Sequence, residues 1–184
     1  MSWPDVREAW RFLENSDLVA AANEVETAVQ RVATETADRL RDAYPLVLVV
    51  MGGAVVFAGQ LLPRLRFPMD FDYIHVTRYR AATEGSRIEW RVAPPAGVRG
   101  RAVLVLDDIL DGGQTLFAIR EELRALGAAS FHCAVLVEKM LPRPKPIAAD
   151  FVGLRIPDRF VFGCGMDAQG YWRNLPEIRA MKGT

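Results

Sequence analysis

Three short apolar runs constrain the architecture more than anything else in this chain. Leu46-Val47-Leu48-Val49-Val50, Ala102-Val103-Leu104-Val105-Leu106 and Phe131 to Val137 are each nearly unbroken. A strand with one wet face alternates apolar and polar side chains, whereas a strand covered on both faces does not. Turn formers bound the runs: Pro45 and Gly52-Gly53 flank the first, Arg99-Gly100-Arg101 precedes the second, and Gly127 precedes the third. Between the second and third runs, Leu116, Ile119, Leu123 and Leu126 recur at helical spacing, and Gly127 supplies the stop. Strand, helix and strand in that order predict an α/β fold, with a central, mostly parallel sheet flanked by helices.

The remaining segments fit around that unit. Asn15-Ser16-Asp17 can cap a helix running to Tyr44, with Leu18, Ala22, Val25, Val29, Val32 and Leu40 near helical spacing before Pro45 ends it. Ala54 to Leu65 reads as a second helix. Met69 to Val76 and Arg87 to Val92 read as a hairpin turning at Thr83-Glu84-Gly85-Ser86. From Pro142 the chain is richer in Pro, Gly and aromatic residues, which predicts short strands in a small lobe over the sheet edge. At 184 residues and 51% hydrophobic, the chain is expected to be a single domain, residues 1–184, able to bury roughly 70% of its unfolded surface.

Charge and cysteine content exclude several classes. Lys plus Arg and Asp plus Glu both number 23, so there is no basic excess for nucleic acid. Cys133 and Cys164 lack CxxC or Cys/His ligand spacing, which argues against a disulfide scaffold and against zinc. The MSWPDVREAW start has no apolar signal core, and no stretch approaches about eighteen apolar residues. A cytoplasmic protein without membrane partners is expected.

The chemistry is concentrated after the second apolar run, in Asp107-Asp108-Ile109-Leu110-Asp111-Gly112-Gly113-Gln114-Thr115. Ligands of open α/β sheets bind beyond the carboxyl ends of the strands. Gly112 and Gly113 allow a tight turn with several N–H groups near an anion. Thr115 adds a hydroxyl, and the following helix adds its positive end. That is a phosphate cradle, though neither a P-loop nor a dinucleotide fingerprint. Three carboxylates would repel a bare phosphate, so they face something else: sugar hydroxyls or hydrated Mg²⁺. The plainer alternative is exposed loop acids, with Asp111 a helix cap.

VLVLDDILDGGQTL resembles the phosphoribosyl diphosphate (PRPP) motif of type I phosphoribosyltransferases. VVMGGAVVFAGQLLPRLRFPMDFDYIHVTRYR, VLVEKMLPRP and PDRFVFGCGMDAQGYWRNLPEI are similar to the hypoxanthine-guanine branch, so the resemblance runs from about Leu46 to Ile178. It implies the type I phosphoribosyltransferase fold, with a core at about residues 45–140. The N-terminal helices and C-terminal tail would form the additions and a small hood. It also implies transfer of the phosphoribosyl group from PRPP to hypoxanthine or guanine, with Mg²⁺ as cofactor and a homo-oligomer, dimer or tetramer, as the working state.

By the same resemblance, Asp107 and Asp108 face the ribose hydroxyls and the metal, and Asp111 lies near purine N7 as the proton-transfer residue. Residues 111 to 115 wrap the 5′-phosphate. Met51 and Gly52 form the pyrophosphate loop, with a cis peptide between them. Lys139 meets the purine 6-oxo group, Phe160 stacks on the base and Val161 contacts its edge. Asp167 is associated with metal and Arg173 with pyrophosphate. Thr77-Arg78-Tyr79-Arg80 and the polar residues after them match the family's mobile lid, with Arg78 and Tyr79 as the lid residues. The chain departs from the family at Gly52, where some relatives carry Lys. It departs again at Gly112, often Thr, and at Gln114, often Lys. Taken singly, Phe160 is a core residue, Lys139 a surface cation paired with Glu138, and Asp167 a turn former; only their joint spacing favours a site. A xanthine- or guanine-preferring enzyme and a PRPP-binding regulator are the rival readings.

Overall fold

A computed structural model describes residues 5–79 and 87–183, with the side chains of residues 78, 79, 87 and 88 left aside. Helix α1 (Val6–Glu14) opens the described chain, with the Asp5 carboxylate accepting from the Arg7 amide. Strand β1 (Ser16–Ala20) and helix α2 (Ala22–Leu40) follow. Next come β2 (Leu46–Met51), α3 (Val55–Leu61), β3 (Asp70–Tyr79) and β4 (Arg87–Val92). Then come β5 (Ala102–Leu110), α4 (Gln114–Ala125), β6 (Ser130–Met140) and β7 (Phe151–Pro157). The short β8 (Val161–Phe162) and β9 (Ile178–Met181) complete it.

The main sheet has the order β4-β3-β2-β5-β6-β7, and only β4 runs antiparallel to its neighbour. All three apolar runs are central strands of this sheet, buried on both faces as their composition predicts. Val47, Val49, Leu104 and Leu106 join the core beneath α2 and α3. Leu46, Leu48, Val103 and Val105 join the opposite core, where α4 contributes Leu116, Ile119 and Leu123. The second sheet, β1-β9-β8, is antiparallel and small.

Several boundaries differ from the sequence reading, each for a tertiary reason. Asn15-Ser16-Asp17 does not start a helix; Asn15 ends α1, and Ser16–Ala20 pairs with β9. Buried Ser16 and Ala20 face inward while Leu18 stays exposed, so strand pairing with a distant segment overrides the local capping signal. The helix starts at Ala22, where Glu24 accepts from the Ala21 amide at 2.7 Å. Helix α3 stops at Leu61 because Pro63 in the next turn has no N–H to continue the ladder. Strand β5 runs on through both acids to Leu110, since Asp107, Ile109 and Leu110 remain paired with β6. Residues 151–157 extend the main sheet beside β6 instead of joining the small lobe, whose strands come from 16–20 and from the tail after Val161.

Candidate active site

The strand order reverses at β2, which has β3 on one side and β5 on the other. The crevice beyond the carboxyl ends at such a point is where open α/β sheets place ligands. Two loops meet there, Met51-Gly52-Gly53 after β2 and Asp111-Gly112-Gly113 after β5. The Met51–Gly52 peptide is cis. At Gly53 a Cβ would fall 1.8 Å from Asp108 Oδ2, so only glycine lets the β2 loop lie against that carboxylate. Gly113, at φ +85°, turns the chain into α4. The helix takes no side-chain cap, so Asp111 does not serve as one.

Strand register explains where the acids and the lysine go. Strands β5 and β6 stay paired up to Leu110 opposite Glu138, so Asp111 and Lys139 leave the ladder side by side. Lys139 Nζ lies 3.6 Å from Asp111 Oδ1 and 3.6 Å from Asp158 Oδ1, with only 12% of its side chain exposed. Glu138 points elsewhere, to Lys145 and Arg155. Neighbours on a strand face opposite sides, and Lys139 is the one on the site side. Asp107 is buried, and its carboxylate accepts from the Asp108 amide at 3.1 Å. Burial pushes the Asp108 carboxyl above its ordinary range, against the pull of Asp107, the Ile109 amide and the charge of Arg173.

These residues line two adjoining hollows. A cleft of about 300 Å³ is bounded by Met51, Gly53, Asp107, Asp108, Asp111, Gly113 and Thr115, with Val76 at its side. A smaller one, of about 200 Å³, is bounded by Lys139, Phe160, Val161, Met166 and Asp167. Asp108, Ile109 and Asp111 form the wall common to both. Val161 is buried, whereas Phe160 keeps 44% of its surface exposed.

The loop from Gly163 to Arg173 closes the smaller hollow. A Cβ on Gly165, at φ +101°, would fall 1.8 Å from the Gly53 carbonyl oxygen, so this loop touches the β2 loop backbone to backbone. Asp167 accepts from the Gly170 amide at 2.6 Å and pairs with Arg173, which also donates to the Gly165 carbonyl at 2.7 Å. Trp172 adopts a left-handed φ of +67°, uncommon for a bulky side chain. Helix α1 braces it: Trp172 Nε1 donates to the Ala9 carbonyl at 2.6 Å, and its ring meets Trp10 edge-on at 5.0 Å.

The family model described as a phosphoribosyl transferase domain matches residues 15–169. A hypoxanthine-guanine phosphoribosyltransferase of Bacillus subtilis is 31% identical over 166 residues, covering 90% of this chain and 92% of the relative. The chain belongs to the phosphoribosyltransferase family, in its hypoxanthine-guanine branch. A second relative of the same description, from Staphylococcus epidermidis, is 33% identical over 162 residues, covering 85% of this chain and 90% of its own. The crystal structure of a hypoxanthine phosphoribosyltransferase from Staphylococcus aureus superposes with a TM-score of 0.85 at 26% identity, covering 98% of this chain and 97% of that one. The fold is the type I phosphoribosyltransferase fold, and the family is one of transferases.

Within this phosphoribosyltransferase, Met51, Asp107, Asp108, Asp111, Gly113 and Thr115 of the residues expected to meet PRPP line the larger cleft, whereas Gly52, Gly112 and Gln114 do not. The residues expected to meet a purine line the smaller hollow, and Asp111 borders both. Arg173 does not line the larger cleft; it is turned toward Asp167. Gly112 and Gln114, two departures from the family pattern, meet each other. The place a Cβ at 112 would occupy is taken by Gln114 Oε1. The expected lid falls outside the described residues from Arg80 to Ser86, and the side chains of Arg78 and Tyr79 lie outside them too. Asp158 and Met166 escaped the sequence reading, although Asp158 stands two residues before Phe160 at the end of β7.

Among the described residues no group of three or more acids, histidines or cysteines is arranged as a metal centre. The donor set still suits Mg²⁺, which commonly uses one or two carboxylates, substrate phosphates and water. Asp107 and Asp108 would hold it beside the cleft; Asp167 would first have to yield its contact with Arg173. The tight approach of Gly165 yields a test. Gly165→Ala is expected to cost at least ~1–3 kcal/mol of stability by urea unfolding, and to weaken pyrophosphate binding by calorimetry.

Proposed function

We propose that this phosphoribosyltransferase is a Mg²⁺-dependent purine-salvage enzyme. It would transfer the 5-phosphoribosyl group of PRPP to hypoxanthine or guanine, releasing pyrophosphate and IMP or GMP. The observation that carries this reading is the wall shared by the two hollows. A sugar phosphate seated over Asp107, Asp108 and the α4 N-terminus would put its anomeric carbon near Asp111, and a base against Phe160 and Lys139 would lie on the other side. Alignment of the two reactants across that wall supplies much of the acceleration. The purine N9 forms the new bond to the anomeric carbon as the bond to the pyrophosphate oxygen breaks, and Asp111 takes up or shares the proton at N7. When bound, Mg²⁺ neutralises charge on the departing pyrophosphate. In this reading the backbone of the Met51–Gly53 loop would receive pyrophosphate, with Arg173 joining it only after leaving Asp167, and residues 111 to 115 would receive the 5′-phosphate.

Val161 offers its backbone to the edge of the base. A lid from Arg78 and Tyr79 onward would exclude water from the oxocarbenium-like centre. Assembly as a dimer or tetramer and a cytoplasmic location belong to the same proposal. Phe71 and Tyr73, exposed on β3, offer apolar surface for a second copy. Among the described residues no helix is long and apolar enough to cross a membrane.

Incubation of the purified protein with PRPP, Mg²⁺ and each purine in turn tests the reading; no nucleotide from any purine refutes it, and xanthine turnover above hypoxanthine would select the rival substrate branch. A second result is expected from thermal melting. Mg·PRPP at about 100 times its Kd contributes ~2.7 kcal/mol, a rise of roughly 5–10 °C for a chain of this size. A purine alone should shift the midpoint little, because the carboxylates and the phosphate cradle gain most from a charged ligand with its metal.

A further inference from the structure

We propose that Lys145, on the loop between β6 and β7, is a positioning residue that fixes the separation of Asp111 and Lys139; this rests on the reading of Lys139 as the base-recognising residue. Lys145 lines neither of the two active-site hollows. Its ammonium donates to the Leu110 carbonyl at 3.1 Å, to the Lys139 carbonyl at 2.6 Å and to Glu138 Oε1 at 3.4 Å. An ammonium has three donors, so its capacity is fully used. Leu110 is the last residue of β5 and immediately precedes Asp111, while Lys139 is next to last in β6. One side chain therefore ties together the ends of the two strands that carry the reacting and recognising groups, where their own ladder runs out.

The surroundings support a built tie rather than a solvated cation. Only 11% of the Lys145 side chain and 17% of the Glu138 side chain are exposed. Glu138 is itself held from the other side by Arg155 Nε at 3.1 Å. Burying an ammonium is costly unless it is paired and bonded, and here it is both. The same loop backs the phosphate cradle: a Cβ at Gly113 would meet Pro146 Cδ and Ile147 Cγ2 at 3.3 Å each. Without the tie, the strand ends can part, and Asp111 and Lys139 lose their fixed relation to a base lying between them.

The test is a double-mutant cycle in steady-state kinetics, with Mg·PRPP affinity by calorimetry as the control. A displacement of about 1 Å in a catalytic arrangement can cost ~10²-fold. Lys145→Met is thus expected to lower kcat/KM for hypoxanthine by roughly 10²-fold, with the Kd for Mg·PRPP within about threefold of wild type. In a Lys139→Met background the same substitution should cost distinctly less than in wild type, because the relation it fixes has lost one of its two members. Lys145→Gln, shorter and with two donors, should show the same selective loss to a smaller degree, and decides the matter if the Met variant does not fold. Additive losses in the cycle, or equal damage to Mg·PRPP binding and base turnover, would make Lys145 a general stabilising residue and overturn the proposal. An impaired Lys139→Met beside an unimpaired Lys145→Met overturns the positioning role alone, whereas an unimpaired Lys139→Met overturns the base-recognition reading beneath it.

Discussion

Asp111→Asn is expected to lower kcat by ~10²–10⁴-fold while leaving the affinity for Mg·PRPP within about threefold of wild type. The substitution keeps the shape of the side chain and removes its basicity, so it separates proton transfer from space filling. The geometry excludes the plainest alternative, since α4 is entered through Gly113 and takes no cap from Asp111. What remains is a carboxylate on the wall between two hollows, 3.6 Å from Lys139. Lys139 keeps a second carboxylate, Asp158, at the same distance, so the lysine is not left alone when Asp111 is neutralised. Burst-free steady-state kinetics beside titration calorimetry measure both quantities. A kcat within about threefold of wild type, roughly 0.7 kcal/mol in the barrier, would assign Asp111 to binding and remove it from the chemistry.

The legibility of this chain follows a physical division. Burial on both faces leaves a mark that needs no partner to be read, and the runs at 46–50, 102–106 and 131–137 are central strands for that reason. Pairings between distant segments leave no such mark. Residues 16–20 carry a capping signal that is locally sound, yet they pair with 178–181 across nearly the whole chain. Residues 151–157 look like other tail strands until β6 offers them an edge. In the site, the glycine and acid spacing after β5 is legible because a tight turn from a strand into a helix demands a particular local backbone, here Gly113 at a left-handed φ. Glu138 and Lys139 show the limit: alternation says that they face opposite sides, but not which of them faces the ligand. Asp158 and Lys145 leave no mark in the sequence for the same reason, because their contacts with Lys139 and with the end of β5 exist only once the fold brings those segments together.

The choice of base is expected to rest on Lys139, with hypoxanthine and guanine accepted and adenine rejected by ~10⁴-fold or more in kcat/KM. An ammonium donates and cannot accept, so it suits a carbonyl oxygen at position 6 and opposes an amino group there. The structure sharpens this argument. Lys139 is 12% exposed and stands between Asp111 and Asp158 at 3.6 Å each, beyond normal hydrogen-bond length. The two acids hold the charge in place and leave donor capacity for a ligand in the hollow. Phe160 cannot discriminate, because every purine presents a face on which to stack. Pairing with Glu138, the alternative that would make Lys139 a surface cation, is ruled out by the contacts of Glu138 with Lys145 and Arg155. In Lys139→Met, activity toward both oxopurines should fall by a large factor while adenine activity remains negligible, since removing a repulsive donor does not create an acceptor for the adenine amino group. Wild-type kinetics with both oxopurines in that variant would place base recognition on other residues, and Val161 with its backbone at the edge of the hollow would be the next to examine.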